Sequence, residues 1–218
     1  MGNKRKLLPH IEKIILDLQD KTGRKLNIGD GFSGSGIVSR LFKLHANKLY
    51  VNDIAPYSET LNKCFLSNLT QNDVKQLEKY INQANDYAGK QTKFTEPYIC
   101  GNWSPNGKIK ENDRVYFTEE NGKRIDVIRN YIETIPKKYR PFLLAMLLVE
   151  ASIHNNTSGQ FSAFYKNGKV GQYGGSKNID LKRITDPITL KMPHYVNNKC
   201  ETFVYKEDTN DWVKNIPK

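Results

Sequence analysis

The stretch that decides the fold is residues 25–53, KLNIGDGFSGSGIVSRLFKLHANKLYVND. It contains two short apolar segments, residues 25–28 and 48–51, which have the composition of buried β-strands. Between them lie a glycine-rich turn and residues 37–45, whose apolar spacing predicts a helix. Glycines let the backbone approach a ligand closely, and the start of the helix offers free N–H groups to it. The order strand, glycine loop, helix, strand therefore predicts the opening of a nucleotide-binding α/β sheet.

The rest of the chain predicts a second, mainly helical part. Apolar side chains at helical spacing predict helices around residues 7–18, 74–84, 125–135 and 141–149. Residues 97–122 are rich in Gly, Asn, Lys and aromatic residues, which predicts loops or a hairpin. Residues 201–205 predict a strand that returns to the sheet. The expected fold class is α/β, with an incomplete Rossmann-like sheet from residues 1–58 and 196–218 and an inserted, mainly helical subdomain from residues 59–195.

Two features of the glycine-rich stretch predict an adenosine-containing cofactor. Asp53 follows the second strand, where a carboxylate can accept hydrogen bonds from both ribose hydroxyl groups. Gly29, Gly31 and Gly34 also satisfy the fingerprint of dinucleotide-binding proteins. The residues alone leave NAD and S-adenosylmethionine open, beside the structural alternative of an ordinary glycine-rich turn.

The charge balance favours a polyanionic partner. The chain has 34 Lys and Arg against 23 Asp and Glu, a net charge of +11. Cations placed at phosphates release condensed counterions, which drives binding to nucleic acid. A solvated basic surface explains the same excess equally well.

Cysteine and histidine usage argues against a metal site or a disulfide framework. The three cysteines form no Cys-x-x-Cys pair, and the four histidines show no ligand spacing. No signal peptide precedes the first helix, and the longest apolar run, residues 142–149, is too short to span a bilayer. We therefore expect a cytoplasmic protein without metal.

Three motifs in order resemble those of Dam-like adenine-specific DNA methyltransferases, a class found in many restriction–modification systems. They are residues 2–11 (GNKRKLLPHI), the cofactor loop 30–38 (DGFSGSGIV) with its Phe-x-Gly-x-Gly core, and residues 49–54 (LYVNDI). Residues 150–159 (EASIHNNTSG) are similar to a segment of some members. Gly31 stands where relatives often have Pro. The resemblance covers nearly the whole chain and implies an S-adenosylmethionine-dependent methyltransferase sheet, with adenine in double-stranded DNA as the methyl acceptor.

The resemblance also implies roles for individual residues. Asp53 would hold the ribose diol and Ile54 would pack on the adenine ring of the cofactor, while Asp208 would reach its amino group. Lys4 would lie beside the cofactor and target-base pocket, although Lys4 to Lys6 also suit a solvated terminal cluster. Asp208 also suits a helix cap. The full implied cofactor set is Lys4, Asp30, Phe32, Ser33, Gly34, Ser35, Gly36, Asp53, Ile54 and Asp208.

The motif that performs methyl transfer in this family is missing. Amino-methyltransferases of the class carry an Asp/Asn/Ser-Pro-Pro-aromatic motif, yet none of the nine prolines here is followed by another. A second subunit that carries the motif and a truncated chain both explain this. We favour the second subunit, because the N-terminal motif begins at Met1 and the last residues resemble a linker. A half-sheet would also leave an unpaired strand edge that needs a partner.

The inserted part is the expected DNA-contacting region. Basic side chains can meet phosphates, and interleaved aromatic rings can stack on bases. Asn155 and Asn156 suit either hydrogen bonds to adenine edges or the cap of the preceding helix. A catalytically inactive nucleic-acid-binding protein with the same fold is the rival interpretation. The candidate DNA-contacting residues are Lys108, Lys110, Arg114, Lys169, Tyr173 and Lys177.

Overall fold

A computed structural model describes residues 4–90, 97–158, 161–175 and 178–217. It divides the chain into two compact units, the first made of Met1–Val74 and Pro193–Lys218 and the second of Lys75–Met192. The units divide after Val74 and after Met192. The functional domain boundaries at residues 58 and 196 stay a prediction. Within the described ranges, no helix is long and apolar enough to cross a membrane.

The first unit is an α/β unit built on three strands. A 3-10 turn, Lys4–Leu7, leads into its first helix. The helices and strands that follow are α1 (Leu8–Thr22), β1 (Asn27–Asp30), α2 (Ile37–His45), β2 (Lys48–Asn52), α3 (Pro56–Phe65), β5 (Glu201–Tyr205) and α9 (Thr209–Asn215).

The three strands form a parallel sheet in the order β1-β2-β5. The central strand β2 is almost fully buried, and Leu49 and Val51 lie in a core cluster with Ala46, Leu66 and Cys200. Because the strands are parallel and in register, their carboxyl ends meet at one edge of the sheet. That edge brings Asp30, Asp53 and Asp208 to the same side of the unit.

Most of the predicted elements of this unit are confirmed. The helix over residues 37–45 is α2, and the returning strand over 201–205 is β5 next to β2. The first strand lies two residues later than predicted, because its pairing with β2 begins at Asn27 opposite Lys48. Helix α3 was not predicted, although Pro56 stands in its first turn, where proline is favoured. Its side chains Ser58 and Asn62 bind Ser33 of the glycine loop, and the whole helix lies in the first unit.

The second unit is mainly helical. Its central helices pack around a core that includes Ile128, Ile132, Leu143 and Ile184. Its elements are α4 (Gln71–Gly89, which begins just before the unit boundary), α5 (Ile99–Trp103), α6 (Glu119–Thr134), α7 (Arg140–His154), β3 (Lys166–Asn167), β4 (Val170–Gly171) and α8 (Leu181–Thr185).

The prediction of loops or a hairpin over residues 97–122 was wrong in part. This segment contains α5 and the start of α6. Helix α6 begins here because Thr118 caps it, accepting a hydrogen bond from Asn121 N. The hairpin lies later in the chain, where β3 and β4 pair antiparallel. The helices predicted around residues 74–84, 125–135 and 141–149 are confirmed as α4, α6 and α7.

Lys43 on α2 is fully buried and satisfies the C-terminal end of α3. Its ammonium donates hydrogen bonds to the Leu66 carbonyl at 2.7 Å, the Ser67 carbonyl at 3.2 Å and Asn68 Oδ1 at 3.0 Å. Burial lowers the pKa of Lys43 to about 8 from its ordinary 10.5, because the charged form loses its hydration. Lys43 therefore couples the stability of this unit to pH.

We expect the free energy of unfolding to rise through Lys43 as the pH increases from about 8 to about 10.5. In this window the unfolded state binds more protons than the folded state, so a higher pH favours the fold. As the pH rises across this window, the free energy of unfolding of the wild type should increase relative to that of Lys43→Met by ~1 kcal/mol or more. Urea denaturation measures it, with Lys13→Met on the exposed face of α1 as the control. A difference that stays constant with pH would contradict the coupling.

Candidate functional site

Two glycines of the loop after β1 adopt the left-handed conformation. Gly34 has φ 52° and Gly36, at the N-cap of α2, has φ 74°. A Cβ at Gly36 would lie 2.3 Å from Asn62 Oδ1, whereas a Cβ at Gly34 would meet no atom within 4 Å. Gly36 is thus required by packing against α3, and Gly34 faces open space.

Asp53 joins the end of β2 to this loop. Gly34 N donates to Asp53 Oδ2 at 2.8 Å, and Ala55 N donates to Asp53 Oδ1 at 2.9 Å. An ionised carboxylate has about four acceptor positions, so two protein donors leave capacity for further donors such as a diol. The carboxylate is half-buried and therefore reachable from solvent.

A small cleft of about 120 Å³ opens beside this carboxylate. Phe32 is 73% exposed and Ile54 is 69% exposed, although both are large apolar residues. Apolar surface left open next to a polar group is typical of a site for a planar, partly polar ligand. The cleft is lined by Phe32, Asp53, Ile54, Asp208, Thr209 and Asn210.

Asp208 is a helix cap, which was one of the two alternatives that the sequence left open, and its contact with the amino group of the cofactor stays a prediction. It is the N-cap of α9, where Oδ1 accepts a hydrogen bond from Asn210 N at 2.8 Å, and it also lines the cleft. The neighbouring Thr209 Oγ1 donates to the Gly31 carbonyl at 2.8 Å and accepts from Asn52 Nδ2 at 3.2 Å. Thr209 and Asn52 tie α9 to the loop after β1, and the sequence did not predict this role for either residue.

Asp30 lies at the other end of the loop, half-buried. It accepts a hydrogen bond from Ser39 Oγ at 2.6 Å. Burial raises the pKa of Asp30, while Ser39, the backbone N–H of Phe32 and the charge of Lys4 oppose that rise. Lys4 is exposed in the N-terminal turn, close enough to act on Asp30 electrostatically.

The side chain of Ser33 lies in a buried polar network and not in the cleft. Its Oγ lies 3.1 Å from Ser58 Oγ and accepts from Asn62 Nδ2 at 3.0 Å. Ser58 and Asn62 lie one turn apart on α3, a spacing that becomes informative only once this helix is known. Ser35 contributes its carbonyl oxygen, which accepts from Arg40 at 3.3 Å. The hydroxyl of Ser33 thus anchors the loop to α3.

In the second unit the predicted DNA-contacting residues differ in their surroundings. Lys108, Lys110, Arg114 and Lys169 are exposed, and Lys169 lies 3.9 Å from Glu111. Tyr173 is half-buried and donates to the Phe117 carbonyl at 3.3 Å, and burial raises the pKa of Tyr173 to about 12. Its hydroxyl is therefore engaged within the protein. Lys177 lies outside the described residues.

Asn155 and Asn156 are buried, so neither presents an amide to a base edge. Asn155 follows the last residue of α7 as its C-cap, which was one of the two readings of the sequence. The amide of Asn156 binds Val115 and Gln172.

A larger apolar cavity of about 610 Å³ lies within the second unit. Its lining includes the aromatic side chains of Tyr98, Trp103, Phe117 and Phe161. Over the described ranges, no group of three or more His, Cys, Asp and Glu side chains is placed to hold a metal ion.

Comparison with known proteins places the chain in one family. The model of the D12 class N6 adenine-specific DNA methyltransferases matches residues 1–217. Methyltransferases of this class use S-adenosylmethionine as the methyl donor. Of the two cofactors that the residues left open, the family therefore favours S-adenosylmethionine over NAD. No solved structure gives a significant match to the chain.

Curated relatives agree with this assignment. Type II methyltransferase M.NlaIII of Neisseria lactamica is 28% identical over 99% of this chain and 60% of its own length. Type II methyltransferase M.CviAII of Paramecium bursaria Chlorella virus 1 is 31% identical over 78% of this chain and 49% of its own length. Type II methyltransferase M.FokI of Planomicrobium okeanokoites is 27% identical over 99% of this chain and 32% of its own length. The chain thus spans 60% or less of each of these relatives, and it belongs to the D12 class of N6 adenine-specific DNA methyltransferases.

Proposed function

We propose that the first unit binds S-adenosylmethionine in the cleft beside Asp53. The observation that carries this proposal is the hydrogen bond from Gly34 N to the Asp53 carboxylate, next to the exposed Phe32 and Ile54. The carboxylate accepts from the ribose hydroxyls, and the two apolar side chains enclose the adenine ring. Asp208, at the rim, accepts from the adenine amino group.

The methionine end of the donor extends along the loop toward Asp30 and Lys4. The donor carries an ammonium and a carboxylate there, and these two residues offer one group of each sign. The charge of Lys4 acts on Asp30 in the structure, so the two groups share one neighbourhood. The backbone of Ser33, Ser35 and Gly36 lines the space between them and the ribose.

S-adenosylmethionine would supply its methyl group to the exocyclic amine of adenine in double-stranded DNA by in-line displacement. The bond from the methyl carbon to sulfur would break as the bond to nitrogen forms, S-adenosylhomocysteine would leave, and the amine would lose a proton to water. This reaction needs positioning of donor and acceptor and no covalent enzyme intermediate. The second unit is the DNA-contacting part, because it has 19 Lys and Arg against 12 Asp and Glu, which gives +7 of the net +11. Lys108, Lys110, Arg114, Lys169, Tyr173 and Lys177 are its candidate contacts.

The groups that orient the target amine come from outside these 218 residues, since no Pro-Pro-aromatic motif is present. Among the described residues β1 pairs only with β2, so one edge of β1 is open.

Helix α9 packs on the loop side of β1. Gly29 and Gly31 lie under Trp212 of α9, and a Cβ on either would be 3.3 Å from the ring. Helix α9 therefore leads from β5 across the sheet to β1.

A parallel strand that carries the motif fits the open edge of β1, and a second polypeptide supplies it. The exposed Leu7, Ile14 and Leu18 around α1 add apolar surface for the same partner. Such surface and an open edge are the features that a complementary subunit covers.

The affinity for S-adenosylmethionine tests the role of Asp53. Asp53→Asn keeps the size of the side chain but removes the charge that strengthens hydrogen bonds to the diol, so we expect ~10-fold or greater loss of affinity by calorimetry. Asp17→Asn on the exposed face of α1 is the matched control and should bind as the wild type does. An unchanged affinity in folded Asp53→Asn protein would overturn the assignment.

The two left-handed glycines should separate stability from binding. Gly36→Ala meets Asn62 and must lower the melting temperature, whereas Gly34→Ala adds only backbone strain of ~1–3 kcal/mol. We expect Gly34→Ala to lose more donor affinity than its stability loss explains, because its methyl group enters open space beside Asp53. If Gly34→Ala and Gly36→Ala lost donor affinity in the same proportion to their loss of stability, this expectation would be contradicted.

Complementation tests the origin of the catalytic motif. The chain alone should bind donor and DNA but transfer no methyl group, and a polypeptide that carries the Pro-Pro-aromatic motif should restore transfer of a radiolabelled methyl group to DNA. Methylation by the chain alone would refute the split arrangement. Restoration only when the motif is fused into one chain would assign it to a longer polypeptide. No transfer in either format would favour an inactive nucleic-acid-binding role.

A further inference from the structure

Three aromatic rings in the second unit form a row of edge-to-face contacts, with a cation at each end of the row. Trp103, Tyr116 and Phe164 pack edge to face, with 5.1 Å between ring centroids at both steps. The Arg114 guanidinium lies 5.3 Å from the Trp103 centroid, and Lys166 Nζ lies 5.0 Å from the Phe164 centroid. The rings are half-buried and both cations are exposed. We call these five residues the cation–aromatic ladder.

The ladder draws on three separate stretches of the chain, and Asn156 joins two of them. Its backbone pairs with Tyr116 on one side, through Asn156 N to the Tyr116 carbonyl at 2.8 Å, and with Tyr165 on the other, through Tyr165 N to the Asn156 carbonyl at 3.2 Å. Its buried side chain binds the first of these stretches again, at Val115, and also the residues just after β4. Asn156 Nδ2 donates at 2.7 Å to both the Val115 and Gln172 carbonyls, and Oδ1 accepts from Gly174 N at 3.0 Å.

These bonds fix the β3–β4 hairpin as well as the ladder. Tyr165 and Gln172 flank the hairpin, and Gln172 N donates to the Tyr165 carbonyl at 3.0 Å. Gly171 lies so close to Val115 that an added Cβ would be 2.4 Å from Val115 Cγ2. The hairpin therefore cannot shift relative to residues 114–116 without breaking the bonds of Asn156.

We propose that the ladder and the hairpin tip at Lys169 bind the sugar–phosphate backbone of duplex DNA, and that Asn156 is the positioning residue that sets their spacing. This inference rests on the proposed function, in which the second unit contacts DNA. Backbone contacts fix the register of a protein on the duplex, so the spacing of the cations matters as much as their charge.

Phosphate is the ligand that these cations fit. Within the described ranges neither Arg114 nor Lys166 forms an ion pair with a carboxylate, whereas Lys169 has Glu111 beside it. A cation held over a ring face is ordered before binding and loses less conformational freedom on contact. Arg114 in addition offers a planar fork of donors that matches phosphate oxygens.

The experiment compares Asn156→Ala with Asn121→Ala. Asn121 is equally buried in the same unit and makes the same number of side-chain hydrogen bonds, two donated to the carbonyls of Ile184 and Asp186 and one accepted from Ile188 N. The 218-residue chain is titrated with a fluorescently labelled DNA duplex at several salt concentrations, and unfolding and S-adenosylmethionine binding are measured in parallel.

Both variants should lose stability alike and keep donor affinity. Asn156→Ala should bind DNA ~10-fold more weakly, with a shallower dependence of log affinity on log salt, while Asn121→Ala should stay within ~2-fold of the wild type. Arg114→Gln and Lys166→Gln should each reduce the salt slope by ~1, and Lys79→Gln on the exposed face of α4 should not.

If Asn156→Ala and Asn121→Ala had the same DNA affinity and the same salt slope, the role of Asn156 would be overturned. Unchanged slopes in Arg114→Gln and Lys166→Gln would overturn the ladder itself, and these surface variants decide the question if Asn156→Ala does not fold. Failure of the wild type to bind any duplex would instead refute the DNA-contacting role in the proposed function.

Discussion

The hydrogen bond between Gly34 N and the Asp53 carboxylate connects the two loops on which the site of the first unit depends. It joins the turn after β1 to the end of β2, and the parallel register of these strands places both ends at one edge of the sheet. Gly34, which donates this bond, is in the left-handed conformation, and glycine adopts that conformation at little cost. Two backbone N–H groups hold the carboxylate, and Asp53 lines the cleft together with Phe32 and Ile54.

Buried asparagine amides perform a similar task in both units. Asn52 and Asn62 fix the loops around the cleft, and Asn121 and Asn156 fix loops of the second unit. A primary amide carries two donors and one acceptor group, so it can satisfy backbone groups that no regular ladder pairs. The positions of the functional loops are thus set by polar groups inside the protein, and removing one such amide leaves several buried partners unsatisfied.

The proposed function assigns methyl-donor binding to the first unit and DNA contact to the second. The first carries the glycine loop and the acid that suit the methyl donor, and the second carries most of the positive charge and the cation–aromatic ladder. The open edge of β1 and the exposed apolar side chains of α1 fit the attachment of the strand that would orient the target amine. Under this proposal, donor binding, DNA contact and amine orientation can be tested separately.

Local sequence determined the helix after the glycine loop, the strands β1 and β2 and the acid at the end of β2, because hydrophobic periodicity and glycine spacing are properties of neighbouring residues. It also carried the family, through motifs that each lie within ten residues. It could not assign Ser33 to a buried network, Tyr173 to an internal hydrogen bond or Asn156 to the hairpin, because their partners lie many residues away. Whether a polar side chain faces a ligand or a buried carbonyl depends on which distant segments fold against it, and only the tertiary structure decides that.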